Sequence, residues 1–153
     1  MRLLITSVAV VLLAGCATPS SNQTASTCYR ASSQEIADQF GLWNAALQTG
    51  QPQTVVARYS SDSVLLPTLS NTVRVTADAK VDYFKHFLEK HPVGTIDQRH
   101  IIIECNAAID TGLYTFAFND GSTAKARYTF TYRRDGKNWL ITSHHSSLMP
   151  EAQ

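Results

Sequence analysis

Six side chains in this sequence have types suited to ligand binding or proton transfer: Arg74, Arg99, Asp110, Tyr114, Arg127 and His144. An arginine stays charged when buried, and its planar fork grips a carboxylate through two hydrogen bonds. Arg74, Arg99, Tyr114, Arg127 and His144 therefore describe a basic pocket for a small carboxylate or other polar ligand. Asp110, Tyr114 and His144 describe a second chemistry, that of an isomerase or dehydratase, in which a carboxylate or an Asp–His pair takes a proton while a phenol polarises a carbonyl. A purely structural account stands beside both. An arginine on a sheet also pairs with a buried carboxylate such as Glu104 or Asp110, His144 also serves as a satisfied core histidine, and Asp110 beside Thr111-Gly112 suits a turn or cap. His144 and His145 point to opposite faces of a strand, and His86 and His91 are five apart, so no metal is expected, nor any cofactor.

The stretch 125–151 must position most of these groups. Two runs of aromatic and β-branched residues flank Asp135-Gly136, a strong hairpin signal because both central turn positions need positive φ. With Asp135-Gly136 as the turn, Arg134 faces Lys137, Thr131 faces Leu140, Thr129 faces Thr142 and Arg127 faces His144. Alternation then puts Arg127, Thr129, Thr131, Leu140, Thr142 and His144 on one sheet face, lining a pocket. Tyr128, Phe130, Tyr132, Trp139, Ile141, Ser143 and His145 take the other, an aromatic patch expected to pair with a second copy in a homodimer. A four-residue loop at 119–122 would bring Tyr114 opposite Arg127, so that Tyr114, Arg127 and His144 form a row across three strands.

Upstream, the pattern is helical. Ser32-Ser33-Gln34-Glu35 fits a capping box, and Ile36, Phe40, Trp43 and Leu47 follow as one apolar stripe. Pro52 suits the first turn of a short second helix carrying Val55, Val56 and Tyr59. Residues 64–66 read as a strand stopped by Pro67, and 72–75 as another extended piece. A third helix is expected over 78–90, with Val81, Phe84, Phe87 and Leu88 inward. Strands follow over 95–105, 113–118 and the hairpin. Helices, then long antiparallel strands, make an α+β domain with three helices over a curved sheet.

Residues 1–15 are read as a signal peptide: Arg2 precedes an apolar run too short to span a bilayer comfortably. Leu13-Ala14-Gly15-Cys16 resembles a lipoprotein lipobox, which implies lipid on Cys16; an ordinary cleaved signal is the plainer reading. Ala17 after that cysteine, by resemblance to sorted lipoproteins, implies a lipid-anchored protein of the outer membrane facing the periplasm. Residues 16–29 read as a polar tether, and 30–151 as the domain. Removal of residues 1–15 leaves 138 of 153 residues, and dropping Arg2 from 13 basic residues leaves 12 against 12 acidic ones. A net charge near zero argues against nucleic acid or a polybasic membrane surface, so the membrane is met only through the lipid. Cys28 and Cys105 are either a disulfide, suited to an oxidising compartment, or two buried thiols.

Several stretches resemble the bacterial stand-alone relatives of the association (hub) domain of calcium/calmodulin-dependent protein kinase type II, within the nuclear transport factor 2-like or SnoaL-like superfamily. They include Trp43-Asn44-Ala45-Ala46-Leu47, Leu65-Leu66-Pro67-Thr68, Asp82-Tyr83-Phe84, Ala126-Arg127-Tyr128-Thr129-Phe130 and His144-His145-Ser146-Ser147 with Met149-Pro150-Glu151. The resemblance implies a cone-shaped fold, self-association into a homodimer or larger oligomer, and a deep arginine-lined pocket for small carboxylates. The positions of two hub arginines hold Thr129 and Ser146 in this chain. The superfamily also contains ketosteroid isomerases, dehydratases and cyclases. No kinase motif is present.

Overall fold

The computed structural model describes residues 27–68 and 70–150. The expected signal, the expected lipidation of Cys16 and most of the expected tether fall outside those residues. Three helices, α1 (Ser33–Gln48), α2 (Pro52–Val56) and α3 (Ala77–Leu88), accompany five strands: β1 (Tyr59–Leu66), β2 (Val93–Glu104), β3 (Ala107–Ala117), β4 (Thr123–Asp135) and β5 (Asn138–Leu148). The sheet order is β1-β5-β4-β3-β2. β1 runs parallel to β5, and the other pairs are antiparallel. The fold is α+β, a mixed and open sheet with helices folded over one face.

α1 starts where its sequence says it should. The Ser32 hydroxyl accepts from the Glu35 amide at 3.1 Å, which satisfies an otherwise unpaired N–H group of the first turn. The Ile36–Phe40–Trp43–Leu47 stripe is buried, its rings meeting those of the sheet: Phe40 lies 6.3 Å from Phe130, and Trp43 5.4 Å from Phe130 and 6.2 Å from Phe116. Pro52 opens α2. Residues 72–75 contribute only an antiparallel bridge from Arg74 to Leu65.

The hairpin departs from expectation in two places. Asp135 pairs with Asn138, so the central turn residues are Gly136 and Lys137. Gly136, at φ +59°, takes the first central position, where type II′ turns place glycine. Further along, Tyr132 faces Ile141 but Thr131 faces Ser143, leaving Thr142 without an opposite residue. That one-residue bulge reverses the face of everything after it. His144 therefore lies opposite Phe130, and Arg127 lies opposite Ser147. The loop before β4 also differs: Ala117 faces Thr123, so Tyr114 faces Ala126 and Leu113 faces Arg127. The expected Tyr114–Arg127–His144 row does not exist. Tyr114 and His144 are buried on the helix-covered face, and Arg127 is exposed on the other.

The aromatic face is likewise not an exposed patch. Tyr128, Phe130, Tyr132, Trp139 and Ile141 are buried within the single chain, so they offer nothing to a second copy. The uncovered face is the polar one, carrying Arg127, Thr129, His145 and Ser147 in a shallow depression with Gln98 and Thr111. On β2 a second irregularity between Ile96 and Gln98 brings the Gln98 carbonyl within 2.0 Å of where a Cβ on Gly112 would stand, so that position must be glycine. Cys28 and Cys105 form a disulfide with Cα atoms 5.1 Å apart.

Candidate functional site

Between the helices and the inner face of the sheet lies a cavity of about 50 Å³. Its walls are mainly apolar, with Trp43, Leu65, Phe84, Phe87 and Phe116 prominent, and its polar groups include Thr68, Tyr83, His144 and Ser146. β5 places the last two on one face, two residues apart, beyond the Thr142 bulge. Thr68 follows Pro67, which ends β1 beside them.

The imidazole is held by a directed chain of hydrogen bonds. Trp43 Nε1 donates to the Tyr59 oxygen at 3.1 Å, and indole nitrogen is a donor only. The Tyr59 hydroxyl hydrogen is then free for His144 Nδ1, 2.9 Å away. Hydrogen-bond logic thus puts the imidazole proton on Nε2, an atom that is buried with no partner among the described residues. Phe130 stacks on the ring at 4.0 Å and Trp43 meets it edge-on at 5.2 Å. Burial pushes the His144 pKa down to about 3, with His145 acting in the same direction. At neutral pH the group is an uncharged donor. Beside it, the Tyr114 hydroxyl donates to Ser146 Oγ, which also contacts Thr68 Oγ1. Burial raises the Tyr114 pKa far beyond the neutral range, so this phenol remains a donor.

Asp110 belongs to a different cluster. It is fully buried in mid-β3, accepts from Arg99 Nε at 3.1 Å and from the Tyr128 hydroxyl at 2.8 Å, and does not line the cavity. Burial pushes its carboxyl upward, against the Tyr128 hydrogen bond and the Arg99 charge, which pull it down. Arg99 also lies over the Phe40 ring, 5.8 Å from its centroid. Arg74 pairs with Asp82 at 2.9 Å and lines a separate recess with His86 and Lys90. Of the residues singled out in the sequence, then, the structure brings Tyr114 and His144 together, pairs Arg99 with Asp110, and leaves Arg74 and Arg127 elsewhere. Thr68, Tyr59 and Trp43 were not read as site residues. Among the described residues, no group of three or more His, Cys, Asp or Glu is placed to hold a metal ion.

The sequence profile of the calcium/calmodulin dependent protein kinase II association domain matches residues 32–150. The chain belongs to that family. A Xanthomonas campestris protein assigned to the same association domain, solved as a crystal structure, is 44% identical, with a TM-score of 0.76 over 80% of this chain and 91% of that one. The iota-carbonic anhydrase of a cyanobacterium, solved with bicarbonate, has a TM-score of 0.72 at 19% identity over 80% and 95%. A Streptomyces avermitilis protein assigned as a dehydratase of the NTF2-like family has a TM-score of 0.65 at 14% identity over 78% and 100%. The last two likenesses show the association-domain chain's NTF2-like fold, not its chemistry. A search of the curated proteins finds no match.

Proposed function

We propose that this association-domain protein is an enzyme that interconverts carbon dioxide and bicarbonate in its inner cavity. The observation that carries the reading is a cavity of about 50 Å³ whose polar groups, among the described residues, are a neutral imidazole, the Thr68 and Ser146 hydroxyls and the Tyr83 phenol. At roughly 10–15 Å³ per water-sized occupant, it has room for a few non-hydrogen atoms. Carbon dioxide and bicarbonate fit that limit, and the ring-bearing substrates of ketosteroid-type isomerases do not. The carboxylate such an isomerase needs is also missing from the cavity, because Asp110 is tied to Arg99 and Tyr128. The carbonic anhydrase of the same fold, solved with bicarbonate, supports the substrate class.

In this reading the aromatic walls receive carbon dioxide and the Ser146 and Thr68 hydroxyls hold a water. The water oxygen forms the new C–O bond while one C=O π pair moves onto the oxygen that accepts from His144 Nε2. The water's proton passes to Ser146, which gives up its own hydrogen through Thr68 toward solvent. Tyr114 holds Ser146 in place, and Tyr59 with Trp43 fixes the His144 tautomer. Donors set in advance toward a developing oxyanion, among mainly apolar walls, stabilise the transition state without reorganising.

Stopped-flow hydration with a pH indicator tests this. The protein is expected to exceed the buffer rate, and Ser146→Ala to fall by about 10²-fold. A wild-type rate equal to buffer would overturn it, and bicarbonate retention without turnover would make the domain a binding module. The same proposal includes envelope location by a lipid on Cys16, which the Cys28–Cys105 disulfide supports because such bonds persist in oxidising compartments. It also includes self-association through the uncovered polar face.

A further inference from the structure

Lysine rarely leaves solvent, yet Lys80 of α3 is only 1% exposed. The other four lysines, Lys85, Lys90, Lys125 and Lys137, are all exposed. Lys80 lines a recess of about 470 Å³ where α2, the start of β1 and the first turns of α3 meet. Val56, Ala57 and Val81 give that recess an apolar lining, and Ser61 and Asp78 add polar groups. Among the described residues, none lines both this recess and the inner cavity.

The surroundings of the Lys80 amine favour its uncharged form. Burial removes the water that an ammonium needs, which lowers its pKa from the ordinary lysine value. Lys80 is the fourth residue of α3, and its Nζ turns back to donate to the Val75 carbonyl, ahead of the Thr76 cap. The positive end of the helix dipole lies there and disfavours a cation. The bond to Val75 is 3.3 Å, long for this type. An ammonium would bury three N–H donors on that one acceptor, whereas a neutral amine buries two and keeps a lone pair. Two carboxylates stand nearby. Asp62 pulls the pKa the other way, but it is engaged by Arg133 at 3.1 Å. Asp78 is exposed, and neither forms an ion pair with Lys80 among the described residues.

We propose that Lys80 is a nucleophilic amine that captures small aldehydes as imines, the alkyl body of the aldehyde resting against Val56, Ala57 and Val81. Desolvation is a known way to activate a lysine toward carbonyl groups. The nitrogen lone pair attacks the carbonyl carbon, the C=O π pair moves onto oxygen, and a proton passes from nitrogen to that oxygen through water. The hydroxyl of the resulting carbinolamine takes a proton from solvent and leaves as water, while the nitrogen lone pair forms C=N. The nitrogen then returns its remaining proton to solvent. The imine is uncharged and carries no N–H, so it suits the buried position better than an ammonium does. The site does not depend on the carbon dioxide reading.

Butanal with cyanoborohydride, which reduces an imine to a stable secondary amine, tests this on the full chain, with peptide mass spectrometry reading all five lysines. At neutral pH Lys80 is expected to be labelled about tenfold faster than the exposed four. The ratio of its rate to theirs should fall from about pH 7 to about pH 9, because the exposed lysines gain free amine more steeply over that range. Ala57 is an exposed residue at the end of α2. Ala57→Phe fills the recess and should slow Lys80 about tenfold, leaving the other four unchanged. Labelling of Lys80 no faster than that of the exposed lysines, a ratio independent of pH, or full labelling in Ala57→Phe would overturn the proposal. Failure of carbon dioxide hydration with this labelling intact would overturn only the activity.

Discussion

Two buried polar clusters sit on the same face of the same sheet and are built on opposite principles. Around Asp110 a carboxylate, a guanidinium and a phenol bond one another, although Asp110 Oδ2 and Arg99 Nη2 have no hydrogen-bond partner among the described residues. Around His144 the groups are neutral, and the chain Trp43–Tyr59–His144 ends on a donor with no partner among the described residues. A buried charge is tolerated only when matched, so the first cluster is committed to itself. A neutral donor costs far less to leave open, and His144 lines the cavity while Asp110 does not, so the second cluster is the one placed to take a ligand. Titratability alone would have chosen the wrong cluster as the site.

The sharpest way to break this contrast is Asp110→Ala. It strands Arg99 and Tyr128, and should cost about 3–5 kcal/mol in urea unfolding, toward the low end because Arg99 is a quarter exposed. A loss below about 1 kcal/mol would mean the pair is not committed as described.

The His144 cluster should show itself through pH instead. The folded-state pKa is depressed to about 3 from the ordinary 6.5, so below pH 6.5 the unfolded chain takes a proton that the folded chain refuses. Stability is therefore full above pH 6.5 and falls as pH drops toward 3, by about 1.4 kcal/mol per unit well inside that window. His144→Gln should flatten that part of the profile, and an unchanged slope would show that other groups produce it.

The smallest stability effect is expected from Ser146→Ala. A water in the adjoining cavity takes over the Tyr114 hydrogen bond, so the cost should stay near 1 kcal/mol. Thermal unfolding would check this, and a loss as large as that of Asp110→Ala would erase the distinction between the clusters.

Much of the scaffold was legible because it rests on local chemistry. The Ser32–Glu35 cap, the Ile36–Phe40–Trp43–Leu47 stripe and Pro52 at the head of α2 depend on residues within a turn or two. The aromatic and polar faces of β4 were also separable by alternation. Which face the helices cover was not, since alternation sorts residues into two sets without saying which set is inside. The phase of β5 was lost for a different reason. The unpaired Thr142 is opposite the irregular part of β1, where Tyr59 faces Ile141 and Val64 already faces Ser143. The Thr142 hydroxyl meets that of Thr131 at 2.7 Å. The extra residue thus sits where the pairings with both neighbouring strands shift, one of those strands about eighty positions away, which no short window contains. Thr68 and Tyr59 escaped notice for the same reason, as both become polar neighbours of His144 and Ser146 only through the parallel pairing of β1 with β5.

The bond between Cys28 and Cys105 has a mechanical consequence. Any pull on the chain ahead of Cys28 is delivered across the sulfurs to the β2–β3 corner, and does not travel through α1. Tension from the leading segment would thus be borne along strands, in shear, while the helix that roofs the cavity stays unloaded.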